Sequence, residues 1–179
     1  MSERPSAREA ILDAFVEVVV EQGERAATLQ AVAEHAGVSK GGLLYHFGSR
    51  EALVEGLAER LAALGAEDAA HLQETDDPVA RFIRGSIVRE TPIDRAFVAA
   101  FRLIQSGEHA ALREALQGVD AGYRDVIADA IGDDLAPVVT LMSDGLYLRS
   151  GLDTAWAPSD ADVERIVAAV DDIVRRARG

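Results

Sequence analysis

One segment near the start of the chain constrains the fold more than any other. It spans residues 29–47, LQAVAEHAGVSKGGLLYHF, and contains two helical stretches separated by only a few residues. Thr28 can cap the first stretch and Ser39 the second, which we predict to run to Phe47. Gly37 lies between them and permits the left-handed backbone of a tight turn. The segment therefore predicts two short helices joined by a tight turn.

The rest of the chain also has helical periodicity, because apolar residues recur at three- and four-residue steps. Ser6 and Glu9 form a capping box for a first helix that is predicted to end at Gly23, and Ser49 caps a long fourth helix. No alternating strand pattern, internal repeat or low-complexity tract stands out. We therefore predict an all-α chain of about nine helices.

Some boundaries of the rear helices can also be predicted. Asp77–Pro78 opens a helix that is predicted to include Ile87, and helical spacing resumes over Asp94–Gln105. Gly118 and Gly122 leave open whether the helix around them is bent or divided.

The predicted helices divide into a compact front group and a larger rear group. We predict that residues 1–48 form a three-helix domain and residues 49–179 a larger helical domain, with the helix from Ser49 connecting the two. The chain has 179 residues, of which 49% are apolar, which suffices to fill a core. Since no flexible linker separates the domains, a movement in one would be transmitted by the connecting helix as a rigid body.

The composition excludes several classes of protein. The chain has no cysteine, which excludes a disulfide framework, a cysteine nucleophile and thiolate zinc sites. Its four histidines lie far apart, and no glycine-rich phosphate loop follows a strand, so we predict no catalytic residue, no metal and no cofactor. The first residues, MSERPSAREA, are polar and charged, and no apolar run could span a bilayer. We therefore expect a cytoplasmic protein without a membrane partner.

The net charge of −13 has the wrong sign for a protein that coats nucleic acid regardless of its sequence. Residues 1–50 carry only −2 of it, from five basic and seven acidic side chains, and the remaining −11 lies behind them. The acid in the rear group either repels DNA and discourages unspecific binding or simply keeps the helices soluble.

The second helix of the segment carries residue types that can contact DNA. Its first turn holds Ser39, Lys40, Gly41 and Gly42, and Lys40 is the only lysine in the chain. The free N–H groups and the positive dipole end of this turn favour phosphate oxygens or base acceptors. Each glycine would cost about 1 kcal/mol relative to alanine inside a helix. Two in succession indicate that another molecule approaches closely, although a frayed helix start or close packing on the preceding helix is equally compatible.

Further side chains flank this turn. Tyr45 and His46 follow it, where a phenol and an imidazole can donate to phosphate and the tyrosine ring can lie against sugar or a thymine methyl group. Arg50, in the first turn of the next helix, can grip phosphate, and Thr28 can offer a hydroxyl and a backbone N–H on the opposite flank. Phe47 is predicted to anchor the small core. This constellation predicts a regulator that enters the DNA major groove.

The segment Thr28–Leu57, TLQAVAEHAGVSKGGLLYHFGSREALVEGL, resembles the DNA-binding region of the TetR family of bacterial repressors. The resemblance includes the AGVS turn, the aromatic-rich second helix and the following Ser-basic-Glu-x-Leu start, whereas the rear of the chain resembles the family only in helix order and length. Two residues depart from the family pattern. Leu44 stands where many members have tyrosine, which leaves Tyr45 as the main aromatic contact, and Arg50 replaces the more usual lysine.

The resemblance implies a symmetric homodimer that pairs through its last two helices and binds a near-palindromic operator in double-stranded DNA. Apolar residues on those helices suit this role, although they could also pack only within one chain. They are Val138, Val139, Leu141, Met142, Leu146 and Leu148 on the first helix and Ile166, Val170, Ile173 and Val174 on the second.

The resemblance also implies a cavity for a small-molecule effector among the middle helices. The candidate lining residues are mostly aromatic, and aromatic residues at helical spacing are also typical of an ordinary core. They are Phe82, Phe97, Phe101, Met142, Asp144, Tyr147 and Trp156. Asp144 is the most informative, because a carboxylate within LMSDGLYL is costly to bury unless it meets a cationic or hydrogen-bonding ligand or a structural partner such as Arg102 or Arg149.

The motif and the resemblance together predict a ligand-responsive transcriptional regulator, a dimeric repressor that a small-molecule effector releases from its operator. The alternative is a helical regulator that answers only to a protein partner and has lost operator binding. The presence of Lys40, Tyr45, His46 and Arg50 together favours DNA binding, and a salt-dependent gel shift would separate the two.

Overall fold

A computed structural model of the chain describes residues 6–87, 89–107, 109–151 and 158–178. All regular structure in these ranges is helical, which confirms the predicted all-α class. The nine α-helices and one short 3-10 helix, η1, are α1 (Ala7–Gln22), η1 (Glu24–Ala26), α2 (Leu29–His35), α3 (Lys40–His46), α4 (Arg50–Gln73), α5 (Pro78–Gly85), α6 (Pro92–Ser106), α7 (Ala110–Ile131), α8 (Ala136–Gly151) and α9 (Asp160–Arg178). No helix in the described ranges is long and apolar enough to cross a membrane.

Side-chain caps open several helices at the residues that the sequence predicted. The Ser6 Oγ accepts a hydrogen bond from the N–H of Glu9 at 3.2 Å, and the Thr28 Oγ1 accepts one from the N–H of Ala31 at 3.1 Å. Ser49 opens α4 in the same way. An N-cap of this kind stabilises a helix by about 1 kcal/mol, so the caps help to fix where each helix begins.

The sequence-based prediction was wrong at two boundaries. α5 ends at Gly85, so Ile87 lies beyond the helix. α6 begins at Pro92 rather than at Asp94, because a complete capping box forms at its start. The Thr91 Oγ1 accepts from the Asp94 N–H at 3.3 Å, and the Asp94 carboxylate accepts from the Thr91 N–H at 3.1 Å. Proline in the first turn agrees with this start, since its missing N–H has no partner there in any case.

The sequence left open whether Gly118 and Gly122 bend or divide their helix. Both lie inside one continuous helix, α7, so neither divides it. Gly23 ends α1 as predicted, with a φ of 86°. The helix η1 was not predicted, since a single turn of three residues has no apolar periodicity to reveal it.

The described residues pack as two compact units. Unit 1 is drawn from Met1–Leu64 and Glu90–Gly118, and unit 2 from Gly65–Arg89 and Val119–Gly179. Unit 1 therefore contains α6 in addition to the helices around the tight turn, and both α4 and α7 contribute residues to each unit. The predicted division into domains after residue 48 stays a prediction.

Unit 1 has an apolar core in which Ile11 and Phe15 of α1 are fully buried. α6 packs along α1, and Arg102 of α6 donates through Nη1 to the carbonyl oxygens of Val19 and Val20. The last carbonyl groups of a helix need partners outside it, and Arg102 supplies one. The end of α1 is therefore tied to α6.

In unit 2, α5 packs against α8 and α9 around a second apolar core. Two buried hydroxyls meet there, with Ser86 Oγ and Ser143 Oγ 2.6 Å apart. Because the Ser86 hydroxyl donates to the Phe82 carbonyl oxygen at 2.7 Å, Ser143 is the donor within the pair. At the surface, Arg84 donates from Nε and Nη2 to the two carboxylate oxygens of Glu164 at 2.7 and 2.9 Å, which joins α5 to α9.

Candidate nucleic-acid interface

The tight turn between α2 and α3 sets the direction of α3. Gly37 has a φ of 67°, the left-handed conformation that the sequence predicted, and the Val38 N–H donates to the Ala33 carbonyl oxygen at 3.0 Å. Leu43 is fully buried and Phe47, which follows the helix, is buried as well. This confirms the prediction that Phe47 is an anchor of the small core. α3 is therefore held on unit 1 from its start and from its end.

One face of α3 is open to solvent. Lys40, Gly41, Leu44 and Tyr45 are all exposed, and Tyr45 is 86% exposed. The four positions are spaced i, i+1, i+4 and i+5, so they form one continuous surface on the helix. An α-helix fits the DNA major groove, where a lysine can reach phosphate or guanine and an aromatic ring can meet sugar or a thymine methyl group. The structure thus brings these four predicted contact residues together.

The two glycines of α3 differ in their surroundings. A Cβ added at Gly41 would have the Ser39 Oγ, 3.9 Å away, as its nearest neighbour, whereas one at Gly42 would lie 3.3 Å from the same oxygen. Close packing on α2 therefore does not explain Gly41. Gly42 takes part in the cap, since its N–H donates to the Ser39 Oγ at 3.0 Å and is not available to a phosphate. Only at Gly41 does the missing side chain leave an open approach to the backbone.

Tyr45 and His46 form an adjacent aromatic pair at the end of α3. Their ring centroids lie 5.1 Å apart and the rings stand edge to face at 83°. Both residues are exposed, so the phenol and the imidazole can each reach a ligand outside the chain.

Thr28 lies at the start of α2 and is exposed, but it has fewer groups free to contact DNA than the sequence predicted. Its backbone N–H donates to the Ala26 carbonyl oxygen at 2.7 Å, so the prediction that this N–H is free for DNA is wrong. Its Oγ1 accepts from Ala31, which leaves the hydroxyl hydrogen as the group that can contact phosphate. The cause is η1, whose last turn brings the Ala26 carbonyl to Thr28.

Arg50 has a partner that the sequence did not reveal. Its Nη2 donates to Glu24 Oε1 at 2.9 Å and also lies 3.5 Å from the Glu24 carbonyl oxygen. The side chains of Arg50 and Glu24 are 28% and 21% exposed, so this cation is more covered than the open face of α3. The two residues are 26 positions apart, and no periodic or motif signal in the sequence connects them.

Glu24 is held in turn by Ser106 at the end of α6. Hydrogen bonding from the Ser106 hydroxyl, followed by the Arg50 guanidinium, keeps the pKa of Glu24 below its ordinary value, although partial burial acts in the opposite direction. The Ser106 Oγ also donates to the Leu103 carbonyl oxygen at 2.9 Å and lies 3.3 Å from the Arg102 carbonyl oxygen, so its single proton has further acceptors within α6. Glu24 is therefore ionised at neutral pH and lies between a cation and a hydroxyl.

The predicted effector residues fall in both units. In unit 2, Phe82 and Met142 pack against the apolar core, and Tyr147 is half-buried. The Phe82 ring centroid lies 5.3 Å from that of Tyr123, whose hydroxyl donates to the Asp68 carboxylate at 2.8 Å. Tyr123 was not assigned to the site from the sequence, where it read as one more apolar residue of the α7 stripe.

The remaining aromatic candidates lie elsewhere. Phe97 and Phe101 are on α6 and belong to unit 1, where Phe101 is exposed and Phe97 half-buried. Trp156 lies outside the residues that the structure describes. Of the predicted effector residues, the described part of unit 2 therefore groups Phe82, Met142, Asp144 and Tyr147.

Asp144 is exposed on α8 rather than enclosed. Partial desolvation of its carboxylate and, next, the nearby carboxylate of Asp120 raise the pKa of Asp144. Arg102, one of the partners considered for it, instead donates to the end of α1. A group whose charged form is disfavoured by a like charge is a favourable position for a cation.

A short capped helix that presents a lysine and aromatic residues, held by a tight turn on a small helical core, defines a helix-turn-helix DNA-binding protein. The family model for bacterial regulatory proteins of the tetR family matches residues 11–57, from α1 into α4. The chain is also 28% identical over 173 residues to the HTH-type transcriptional regulator BetI 2 of Chromohalobacter salexigens, covering 86% of this chain and 84% of that relative. The family match covers the helix-turn-helix region, and the relative over most of the chain is a transcriptional regulator, so both support assignment to the TetR family.

Solved structures share the fold over nearly the whole chain. A transcriptional regulator from Saccharomonospora viridis in complex with choline has a TM-score of 0.71 at 17% identity, covering 94% of this chain and 95% of that one. The multidrug binding protein EbrR complexed with ethidium has a TM-score of 0.65 at 19% identity, covering 94% and 99%. These similarities show that the chain shares the fold of these two proteins.

Proposed function

We propose that this protein is a dimeric repressor that binds a near-palindromic operator and is released from it by a small-molecule effector. The observation that carries the proposal is the open face of α3, where Lys40, Gly41, Leu44 and Tyr45 stand together on a helix anchored by Phe47. In this proposal residues 1–48 bind DNA, residues 49–179 bind the effector and the second chain, and the protein acts in the cytoplasm.

The proposed DNA contacts are of two kinds. Lys40 and Arg50 neutralise phosphates, which makes binding weaken as the salt concentration rises. Leu44 and Tyr45 enter the groove and meet sugar or thymine methyl groups, which contributes to selectivity. The remaining proposed contacts are the hydroxyl of Thr28, the helix start at Ser39 and Gly41, and the imidazole of His46, while the Gly42 N–H serves the cap.

Dimerisation through α8 and α9 is supported by apolar surface that one chain leaves uncovered. Val138, Leu141 and Leu148 of α8 are exposed, with Leu141 at 70%, and Ile173 of α9 is exposed as well. Contiguous exposed apolar residues on a small protein usually mark an interface. Three of the predicted interface residues are buried within the chain itself and would support the interface from below, namely Val139, Leu146 and Val170.

A two-fold dimer gives the proposed repressor its operator specificity. One α3 helix covers too few base pairs, whereas two helices separated by about one turn of B-DNA, roughly 34 Å, read two half-sites. In this proposal the effector changes that separation, and binding of the effector and of the operator therefore oppose each other.

The chemical class of effector that the residues favour is an organic cation. Asp144 and Asp120 repel each other, and the fold neighbours from Saccharomonospora viridis and EbrR were solved with choline and ethidium, which are both cations. Phe82, Met142 and Tyr147 are proposed to supply apolar and aromatic contact to such a ligand. Phe97 and Phe101, which belong to unit 1, and Trp156, which lies outside the described residues, stay predictions from the sequence.

The effector proposal is tested by adding choline or ethidium to the protein bound to its operator. Release of the operator, together with a raised melting temperature of the free protein, supports a cationic effector. Asp144→Asn should abolish both responses, whereas Asp129→Asn, which removes an exposed carboxylate from α7, should keep them. Release by neutral or anionic compounds alone would contradict the cationic class.

The operator proposal is tested by selecting duplexes from random-sequence DNA with the purified protein. A repressor of this kind enriches a near-palindromic duplex and binds it less tightly as salt rises. The alternative function, a helical regulator that answers to a protein partner, predicts that no duplex is enriched at any salt concentration.

A further inference from the structure

We propose that Glu24 competes with DNA phosphate for Arg50 and thereby lowers both the affinity of the protein for its operator and the salt dependence of binding. This inference rests on the proposed function, in which Arg50 contacts phosphate. Glu24 then acts as an internal anion that the operator has to displace.

The geometry of the ion pair places Glu24 on the donor group that a phosphate would use. Arg50 is the first residue of α4, and its Nη2 lies 2.9 Å from Glu24 Oε1, the usual length of a charge-assisted hydrogen bond. A guanidinium binds carboxylate and phosphate through the same planar set of N–H groups. A phosphate that approaches the start of α4 therefore meets a cation that is already neutralised.

The competing carboxylate is fixed in place. The Ser106 hydroxyl, at the end of α6, acts on the same carboxylate and helps to keep the pKa of Glu24 below its ordinary value. α6 packs against η1, which carries Glu24, and Arg102 one turn before Ser106 donates to the carbonyl oxygens of Val19 and Val20. Glu24 is thus positioned by α6 as well as by its own short helix.

Glu24 could either strengthen or weaken operator binding, and the affinity of a variant without this carboxylate distinguishes the two. A carboxylate that merely orients Arg50 toward DNA would make operator binding weaker when it is removed. A carboxylate that competes with phosphate makes binding tighter when it is removed, because a partly buried ion pair no longer has to be broken. Partial burial of both side chains favours competition, since the guanidinium of the free chain is turned to Glu24 rather than extended into solvent.

The test measures the affinity of Glu24→Gln for a duplex that the parent protein has selected from random-sequence DNA. Glutamine keeps the shape of the side chain and can still hydrogen-bond, but it carries no charge. We expect binding to become roughly fivefold tighter, the scale of one partly exposed ion pair. The slope of log K against log salt should steepen by about 0.9, because the contact surface then carries one more net positive charge toward the phosphates.

Three further variants separate competition from other effects. Glu21→Gln removes an exposed carboxylate from the end of α1, three residues before Glu24, and should leave affinity and salt slope close to those of the parent. Ser106→Ala loosens Glu24 without removing its charge and should tighten binding less than Glu24→Gln does. Arg50→Ala should weaken binding more in the Glu24→Gln background than in the parent, a coupling that a double-mutant cycle measures.

The outcomes distinguish this inference from the proposed function. Glu24→Gln binding as the Glu21→Gln control does, or more weakly than the parent, overturns the competition while operator binding stands. If Arg50→Ala binds like the parent in both backgrounds but Lys40→Ala does not, then Arg50 is no phosphate contact and the inference is wrong. A parent protein that selects no duplex overturns the proposed function and this inference together. If circular dichroism shows that Glu24→Gln does not fold, Glu24→Ala decides in its place, since unchanged or weaker affinity in that variant would contradict the competition.

Discussion

Gly56 of α4 lies directly against the ring of Phe47. A Cβ added at Gly56 would be 2.8 Å from Cε1 of that ring and 3.6 Å from Leu12 Cδ1. Phe47 is only 2% exposed, and the Arg8 guanidinium lies 5.0 Å from its ring centroid on the outer side of the core. The anchor that ends α3 therefore occupies the space that a side chain on α4 would need.

We expect Gly56→Ala to lower the free energy of unfolding by about 1 kcal/mol. Overpacking a buried ring costs about 1–3 kcal/mol, which exceeds the gain of about 1 kcal/mol that alanine brings to a helix. Gly118→Ala is the matched control, because a Cβ there meets nothing within 4 Å and only the gain remains. Urea unfolding, monitored by circular dichroism, measures the stability of both variants. Equal stability of Gly56→Ala and Gly118→Ala would contradict the close packing of Phe47 on Gly56.

We expect Gly41→Ala to separate stability from DNA binding. The free protein should become more stable by up to about 1 kcal/mol, since the added methyl group has open space around it. Operator binding should become weaker by roughly tenfold, because the methyl group would occupy the surface where DNA approaches the backbone. A variant that is stabilised and binds the operator as tightly as the parent would show that no close approach occurs at Gly41.

The tight turn and α3 could be predicted from the sequence because their signals are local. Gly37 adopts the left-handed conformation, Ser39 caps the helix two residues later, and Phe47 is buried at its end, all within one short segment. The turn and the cap depend on the residue type and on neighbours within four positions, and the burial of Phe47 follows from its large apolar side chain. Features of this kind can be predicted without knowledge of the tertiary packing, as long as the segment is helical.

The partners of the predicted contact residues could not be derived in this way. Glu24 meets Arg50 across 26 positions, and Ser106 reaches Glu24 from α6, so only the tertiary packing reveals that the predicted phosphate contact is already paired. The loss of the Thr28 N–H has the same origin, because it depends on the unpredicted η1.

The predicted effector residues show a related limit of predictions made from apolar periodicity. A helical stripe predicts which face of α6 is buried, but it does not tell which core the face meets. Phe97 and Phe101 pack with unit 1, whereas Phe82 and Met142 pack with unit 2. The list of predicted effector residues, drawn from apolar periodicity, therefore combined residues of two units.

We expect Leu141→Glu to convert the dimer into a monomer. A carboxylate placed on the exposed apolar face of α8 would have to be desolvated at the interface, which is far more costly than leaving it in water. Sedimentation velocity measures the assembly state, and affinity for the selected duplex should fall at least tenfold, because each chain then binds a single half-site.

The control for the dimer is Ala168→Glu. Ala168 is exposed on α9 five residues before Ile173, which places it on a different side of that helix. The Ala168→Glu variant should therefore remain a dimer. A Leu141→Glu protein that remains dimeric would place the interface elsewhere.

We expect Asp144→Asn to be more stable than the parent at about pH 7 and equal to it near pH 3. The folded chain raises the pKa of Asp144 by desolvation and by the Asp120 carboxylate. Folding is therefore most favourable below the unfolded pKa, and the parent loses stability as the pH rises through the higher folded pKa. The difference should stay below about 1 kcal/mol because the residue is exposed.

We expect Glu24→Gln to change stability in the opposite direction to Asp144→Asn, since the folded chain lowers the pKa of Glu24. The stability that Glu24 contributes is complete above its unfolded pKa and is lost as the pH falls through the lower folded pKa. Glu24→Gln should therefore be less stable than the parent at about pH 7 and equal to it near pH 3. Thermal melts across this range measure both variants, and shifts of the same sign in both would contradict the assigned causes.

The most direct test of the account is the dissociation constant of the selected duplex, measured by fluorescence anisotropy for the parent, Lys40→Ala and Tyr45→Ala. Both variants should fold like the parent and bind roughly 10- to 100-fold more weakly, because each loses a contact on the open face of α3. Arg165→Ala, which removes an exposed cation from α9, should bind like the parent. Lys40→Ala and Tyr45→Ala proteins that bind the duplex as tightly as the parent would show that α3 is not the surface that reads DNA.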